Sequence, residues 1–131
     1  MAEERARPGD TIEKCALFMK KQSHNYQKGV RAYSETDYET ARRLLLPFAE
    51  AGDIEAQTMI GSIYQLGLGG IQISEDEAIK WYLLASEKGN GLASNNLRTM
   101  AFLRGDRKEA TRYYEKARNQ GFRHSPMLKH F

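Results

Sequence analysis

An all-α fold built from antiparallel helix pairs is what this sequence predicts, and three observations predict it. The pattern Ala, two bulky apolar residues, a small or apolar residue, then Gly occurs three times with one internal spacing, as Ala41/Leu44/Leu45/Phe48/Gly52, Ala78/Trp81/Tyr82/Ala85/Gly89 and Ala110/Tyr113/Tyr114/Ala117/Gly121. Offsets of 3, 4 and 7 place those side chains on one stripe of an α-helix, and Gly at offset 11 supplies the left-handed conformation that commonly ends one. The copies recur 37 and then 32 residues apart, as in a repeat array whose units bury their apolar stripes only against their neighbours. No alternating strand pattern occurs anywhere.

The elements follow in order. Residues 1–10 are charged, contain Pro8 and Gly9, and read as a disordered leader; residues 11–131 read as one domain, large enough to bury a core without metals or disulfides. Asp10 or Thr11 can cap an extra first helix with Ile12, Cys15, Ala16 and Met19 on its apolar side, ending near Gln22 to Asn25. A second helix carries Tyr26, Val30 and Tyr33 and stops at the turn formers Ser34 to Asp37. The first pattern helix spans Tyr38 to Ala51, and Pro47 inside it should bend it. After the Gly52-Asp53 turn, Ala56, Met59, Ile60, Ile63 and Tyr64 mark the partner helix of the next unit, and the glycines of Leu66 to Ile73 read as a loop. Ser74 and Glu77 have capping-box spacing for the second pattern helix, which runs to about Lys88. Ala93, Leu97, Met100 and Ala101 mark the next helix, and Gly105-Asp106 turns into the third pattern helix, ending near Gln120. Met127, Leu128 and Phe131 form a short C-terminal cap for the stack.

A single cysteine cannot form an internal disulfide, and neither a signal-type apolar segment nor an apolar stretch of ~18 residues is present, so the chain reads as soluble and cytoplasmic with no membrane span. The net charge of +3 conceals polarity: residues 1–34 carry seven Lys/Arg and four Asp/Glu, residues 35–97 four and ten, and residues 98–131 nine and three. Two readings fit this distribution. Solvated helix surfaces are the ordinary one; the sharper one is that Arg98, Arg104, Arg107, Lys108, Arg112 and Arg118 dock an acidic partner or the acidic middle of another copy. Nucleic acid fits poorly, because the aromatics sit on the apolar stripes rather than between the arginines.

Residues 56–93 carry Ala56, Ile60-Gly61, Tyr64, the run Gly67 to Gly70, Asp76, Ala78, Trp81-Tyr82, Ala85, Gly89 and Ala93, and in this the chain resembles the Sel1-like repeats, relatives of the tetratricopeptide repeats. The neighbouring units, about 24–52 and 93–121 beside 56–89, keep parts of the pattern: Gly29, Ala41 and Gly52 in the first, Ala93, Ala110, Tyr113-Tyr114 and Gly121 in the third, where Arg98 replaces a glycine. The resemblance implies a right-handed α/α superhelix of about three pairs whose first (A) helices line a concave surface that holds a partner protein or peptide. Position by position, it implies partner-binding residues Tyr26, Val30 and Tyr33, then Thr58, Ser62 and Gln65, then Asn95, Thr99, Phe102 and Leu103. The expected function is a non-catalytic adaptor; the alternative is a small inhibitor or immunity-type protein that occludes an enzyme or toxin.

No chemistry-bearing constellation competes with that expectation. The glycine run follows a helix and has no Lys-Ser/Thr after it, unlike a phosphate-binding loop. His124 and His130 are six residues apart without an acid or cysteine partner, and Cys15 lies on an apolar stripe. Glu75, Asp76 and Glu77 suit the first turn of a helix. Catalysis, a metal and a cofactor are therefore not expected, and Trp81 and Tyr82 are expected in the core.

Overall fold

The computed structural model describes residues 23–123; the leader, the extra first helix and the C-terminal cap expected above lie outside them. Six helices follow one another: α1 (His24–Ser34), α2 (Tyr38–Glu50), α3 (Ile54–Leu66), α4 (Glu75–Glu87), α5 (Gly91–Leu103) and α6 (Arg107–Asn119). Among the described residues there is no strand. The pairs α1/α2, α3/α4 and α5/α6 pack internally, and α2 on α3 and α4 on α5 join one pair to the next, which makes the α-solenoid.

One local device sets the chain reversals. After α1, α2, α4, α5 and α6 the second residue beyond the helix is left-handed, and the residue after it donates its N–H to a carbonyl five residues back, closing a Schellman turn. Gly52, Gly89, Gly105 and Gly121 take that conformation at little cost, and Thr36 (φ 64°) does so in the first turn. In the four turns that lead to another helix, the next residue, Asp37, Asp53, Asn90 or Asp106, accepts an N–H three residues ahead with its side chain and so starts that helix. A Gly-Asx dipeptide thus ends one helix and begins another.

Two expectations need correction. The segment Leu66 to Ile73 is not wholly irregular: α3 runs to Leu66, and Leu68–Gly70 form one 3-10 turn, with Gly69 (φ 69°) seated against Tyr38 at the start of α2. Only half of the capping box forms, because Ser74 accepts the Glu77 N–H at 3.2 Å while its own N–H is taken by the Tyr64 carbonyl at 3.0 Å. Pro47 lies inside α2, which continues through it to Glu50.

The repeating stripes form the core. Ala41 and Leu45 of α2 and Trp81 of α4 join Ile60 and Ile63 of α3 in one cluster; Ala78, Tyr82 and Ala85 of α4 join Leu97 and Met100 of α5 and Tyr113 of α6 in a second. Trp81 and Tyr82, adjacent in sequence, thereby face different clusters, and α4 is the element common to both.

Candidate functional site

The A helices are α1, α3 and α5. Gly29, Gly61 and Arg98 occupy equivalent positions in them, and the two glycines are required by packing: a Cβ at Gly29 would meet the Leu45 side chain at 2.9 Å, and one at Gly61 would meet the Tyr82 ring at 2.6 Å. Where Arg98 stands, the facing Tyr114 is only half-buried, whereas Leu45 and Tyr82 are fully buried. The third pair is therefore set apart by a bulky residue at its contact point.

This register arranges the sequence-derived residues in rows: Tyr26, Thr58 and Asn95; Val30, Ser62 and Thr99; Tyr33, Gln65 and Phe102. The first row is mostly taken up internally. Tyr26 is buried, with its hydroxyl 2.9 Å from Asp53 Oδ2 and 3.0 Å from Glu55 Oε2, and its ring edge-on to Phe48. Burial, then the adjacent Asp53, raises its phenol well above the ordinary tyrosine range. Asp53 is itself 2% exposed and accepts the Ala56 N–H at 3.0 Å, so one carboxylate caps α3 and ties it to α1. Thr58 is buried and donates to the Ile54 carbonyl, and Asn95 accepts from the Arg98 guanidinium at 2.9 Å.

The other two rows are accessible. Val30, Ser62, Thr99, Tyr33 and Gln65 are half-buried, and Phe102 and Leu103 are exposed. Tyr33 stands edge-on to Tyr38 at 5.4 Å. The centre of the face is held from below by Tyr82, whose hydroxyl donates to Gln65 Oε1 at 2.7 Å, leaving Ser62 Oγ at 3.1 Å to donate to the phenolic oxygen. Burial pushes the Tyr82 phenol up to about 12, with Ser62 and Asn96 opposing that shift and Tyr33 adding to it. Gly61 is what admits this ring beneath α3.

The role of Tyr82 was only half legible. Its ring belongs to the apolar stripe, but a tyrosine on a buried stripe carries a hydroxyl that needs a partner, and that signal points to the polar residues above it. Asn96, absent from the sequence-derived set, also acts on the Tyr82 phenol, opposing the rise that burial causes. Chemically the face offers amide and hydroxyl groups between aromatic and aliphatic side chains. Among the described residues no group of three or more His, Cys, Asp or Glu could hold a metal ion, and no helix is long and apolar enough to cross a membrane.

A family model described as Sel1 repeat matches the chain three times, over residues 23–53, 54–90 and 101–122. The third match is the shortest and begins beyond Arg98, omitting most of α5. No curated protein was found to match.

Proposed function

Because the chain belongs to the Sel1 repeat family, whose repeats are generally protein–protein interaction modules, we propose that it is a non-catalytic adaptor that holds a partner protein or peptide on the A-helix face. One observation carries this reading. Tyr33, Gln65 and Phe102 lie in register along three successive A helices, and the central member is fixed by a buried hydroxyl at 2.7 Å. A peptide on that row would meet an amide held ready by Tyr82 between two aromatic side chains, so little rotamer entropy would be lost on binding. The short side chains of Val30, Ser62 and Thr99 leave room for it beside that row.

The test is site-specific crosslinking in the native host. A photoreactive residue at position 65 or 102 should capture a partner, and one at Leu84, an exposed position on α4, should not. Gln65→Glu, which keeps an acceptor for the Tyr82 hydroxyl, combined with Phe102→Asp should abolish capture from a probe at position 99 while leaving the melting curve in place. Capture at Leu84 alone, or capture indifferent to the double substitution, removes the A-helix face from the function.

A further inference from the structure

Successive helices run in opposite directions, so the turns inside the three pairs lie along one edge of the solenoid and the turns between pairs along the other. The second edge is closed by polar contacts. Gln57 Nε2 reaches the Ala49 carbonyl at 3.0 Å, Lys88 Nζ the Gly52 carbonyl at 2.7 Å, and Gln120 Nε2 the Ser86 carbonyl at 2.9 Å, while Lys116 pairs with Glu87 at 3.1 Å.

The first edge is different. At the end of α3 and in the loop after it, Leu66 and Ile73 are 60% and 59% exposed, and at the end of α5 Leu103 is 76% exposed. Beside the first pair of side chains stand Glu75 and Asp76; beside Leu103 stand Arg104, Arg107 and Lys108, and all five are exposed. Among the described residues none of the five is in a salt bridge. The position of the two acids is explained by the helix dipole of α4. Arg104 likewise suits the C-terminal end of α5, but Arg107 and Lys108 are not explained that way, because they occupy the first turn of α6, where positive charge opposes the dipole. Among the described residues no salt bridge offsets that placement.

We propose that this edge docks a second copy of the chain about a two-fold axis. A patch ordered acidic-apolar in one unit and apolar-basic in the next is complementary to itself when reversed: Glu75 and Asp76 of one protomer meet the bases of its partner, and the exposed leucine and isoleucine side chains meet in between. The same contact is made twice, as an isologous interface requires, and it closes at two copies. Opposite charges across the contact speed encounter and fix the register, and the apolar side chains supply the burial. Leu66 and Leu103 border the row through Gln65 and Phe102, and Leu103 is also one of the partner-binding candidates, so dimerisation is read by sedimentation and partner capture by crosslinking from positions 65 and 102.

Sedimentation of the full chain at roughly 0.1 mM and low salt should show a dimer that weakens roughly tenfold or more at high salt. Leu66→Ser with Ile73→Ser should give a monomer. The charge-reversed variants Glu75→Lys/Asp76→Lys and Arg104→Glu/Arg107→Glu should each be monomeric alone, with helicity unchanged, and should form a one-to-one heterodimer when mixed. A wild-type monomer under both salt conditions overturns the proposal. So do a dimer that survives both charge reversals and a mixture that stays monomeric; a mixture that grows beyond two copies overturns the two-fold arrangement.

Discussion

Thr36 is the exception in an otherwise glycine-built set of left-handed turns, and it stands at φ 64° between α1 and α2. A β-branched residue there costs roughly 1–2 kcal/mol of local strain, against a backbone-entropy cost of roughly 0.5–1 kcal/mol for glycine. Thr36→Gly should therefore raise stability by about 0.5–1 kcal/mol, seen as a higher urea midpoint at unchanged slope; a lower midpoint would contradict the strain assignment. Tyr82 gives a pH dependence of definite sign. Its folded phenol titrates near 12 against an ordinary 10.0, so below pH 10 both states hold the proton and its contribution is intact. Above pH 10 the unfolded chain releases a proton that the folded chain keeps, and stability falls by about 1.4 kcal/mol per pH unit until the folded phenol itself titrates. Tyr26, raised in the same direction, steepens the fall. Urea midpoints at pH 9 and pH 11 measure the loss, and Tyr82→Phe should reduce it; an equal loss in that variant would assign the alkaline sensitivity elsewhere.

At the scale of the element, Pro47 is the irregular position. It has no N–H, so the Arg43 carbonyl one turn earlier lacks its helical donor, yet α2 continues to Glu50 around it. Pro47 is exposed, so replacing it removes no core contact. Pro47→Ala should stabilise α2 by about 1–2 kcal/mol, the helix-interior penalty of proline less the entropy that alanine restores to the unfolded chain. Amide exchange across Glu39–Glu50 should slow accordingly; faster exchange would mean that the ring makes a contact the helix needs. The second helices of the pairs were the most legible elements, because their Ala/bulky/bulky/Gly stripes state both face and stop. The A helices were legible as helices but less so as a binding face. Tyr26 and Thr58 share the register of Asn95, yet Tyr26 is drawn inward by Asp53, a residue that the sequence pattern marked only as part of a turn and that caps α3. The link Ser86–Ser94–Gln120 was not legible at all. Ser86 Oγ and Ser94 Oγ lie 2.6 Å apart and Ser94 donates to Gln120 Oε1 at 2.5 Å, so three polar residues from different segments meet where the second unit packs on the third. No local spacing announces such a meeting.

For the whole molecule, a one-dimensional array makes the consequence of a lesion depend on its place along the chain. The helix α4 packs on α3 and α5 and contributes Trp81 to one core cluster and Tyr82 to the other, whereas α6 packs on α5. Truncating either buried aromatic removes about 3–5 kcal/mol, a large share of the roughly 5–15 kcal/mol available to a domain. Trp81→Ala takes that amount from the junction on which both clusters depend, so helicity should be lost across the described helices in one transition at a much lower denaturant midpoint. In Tyr113→Ala the same amount comes from the terminal pair, and the array can shed α5 and α6 while α1 to α4 keep the cluster built around Leu45, Ile60 and Trp81. Native-state hydrogen exchange separates the outcomes: in Tyr113→Ala, amides of α6 should exchange through a low-energy opening while those of α3 retain near-native protection. Equal loss of protection in α3 and α6 would show that the three pairs behave as one cooperative block. The graded outcome is the expected one because α6 is held through α5 at the end of the described array, whereas α4 is held from both sides.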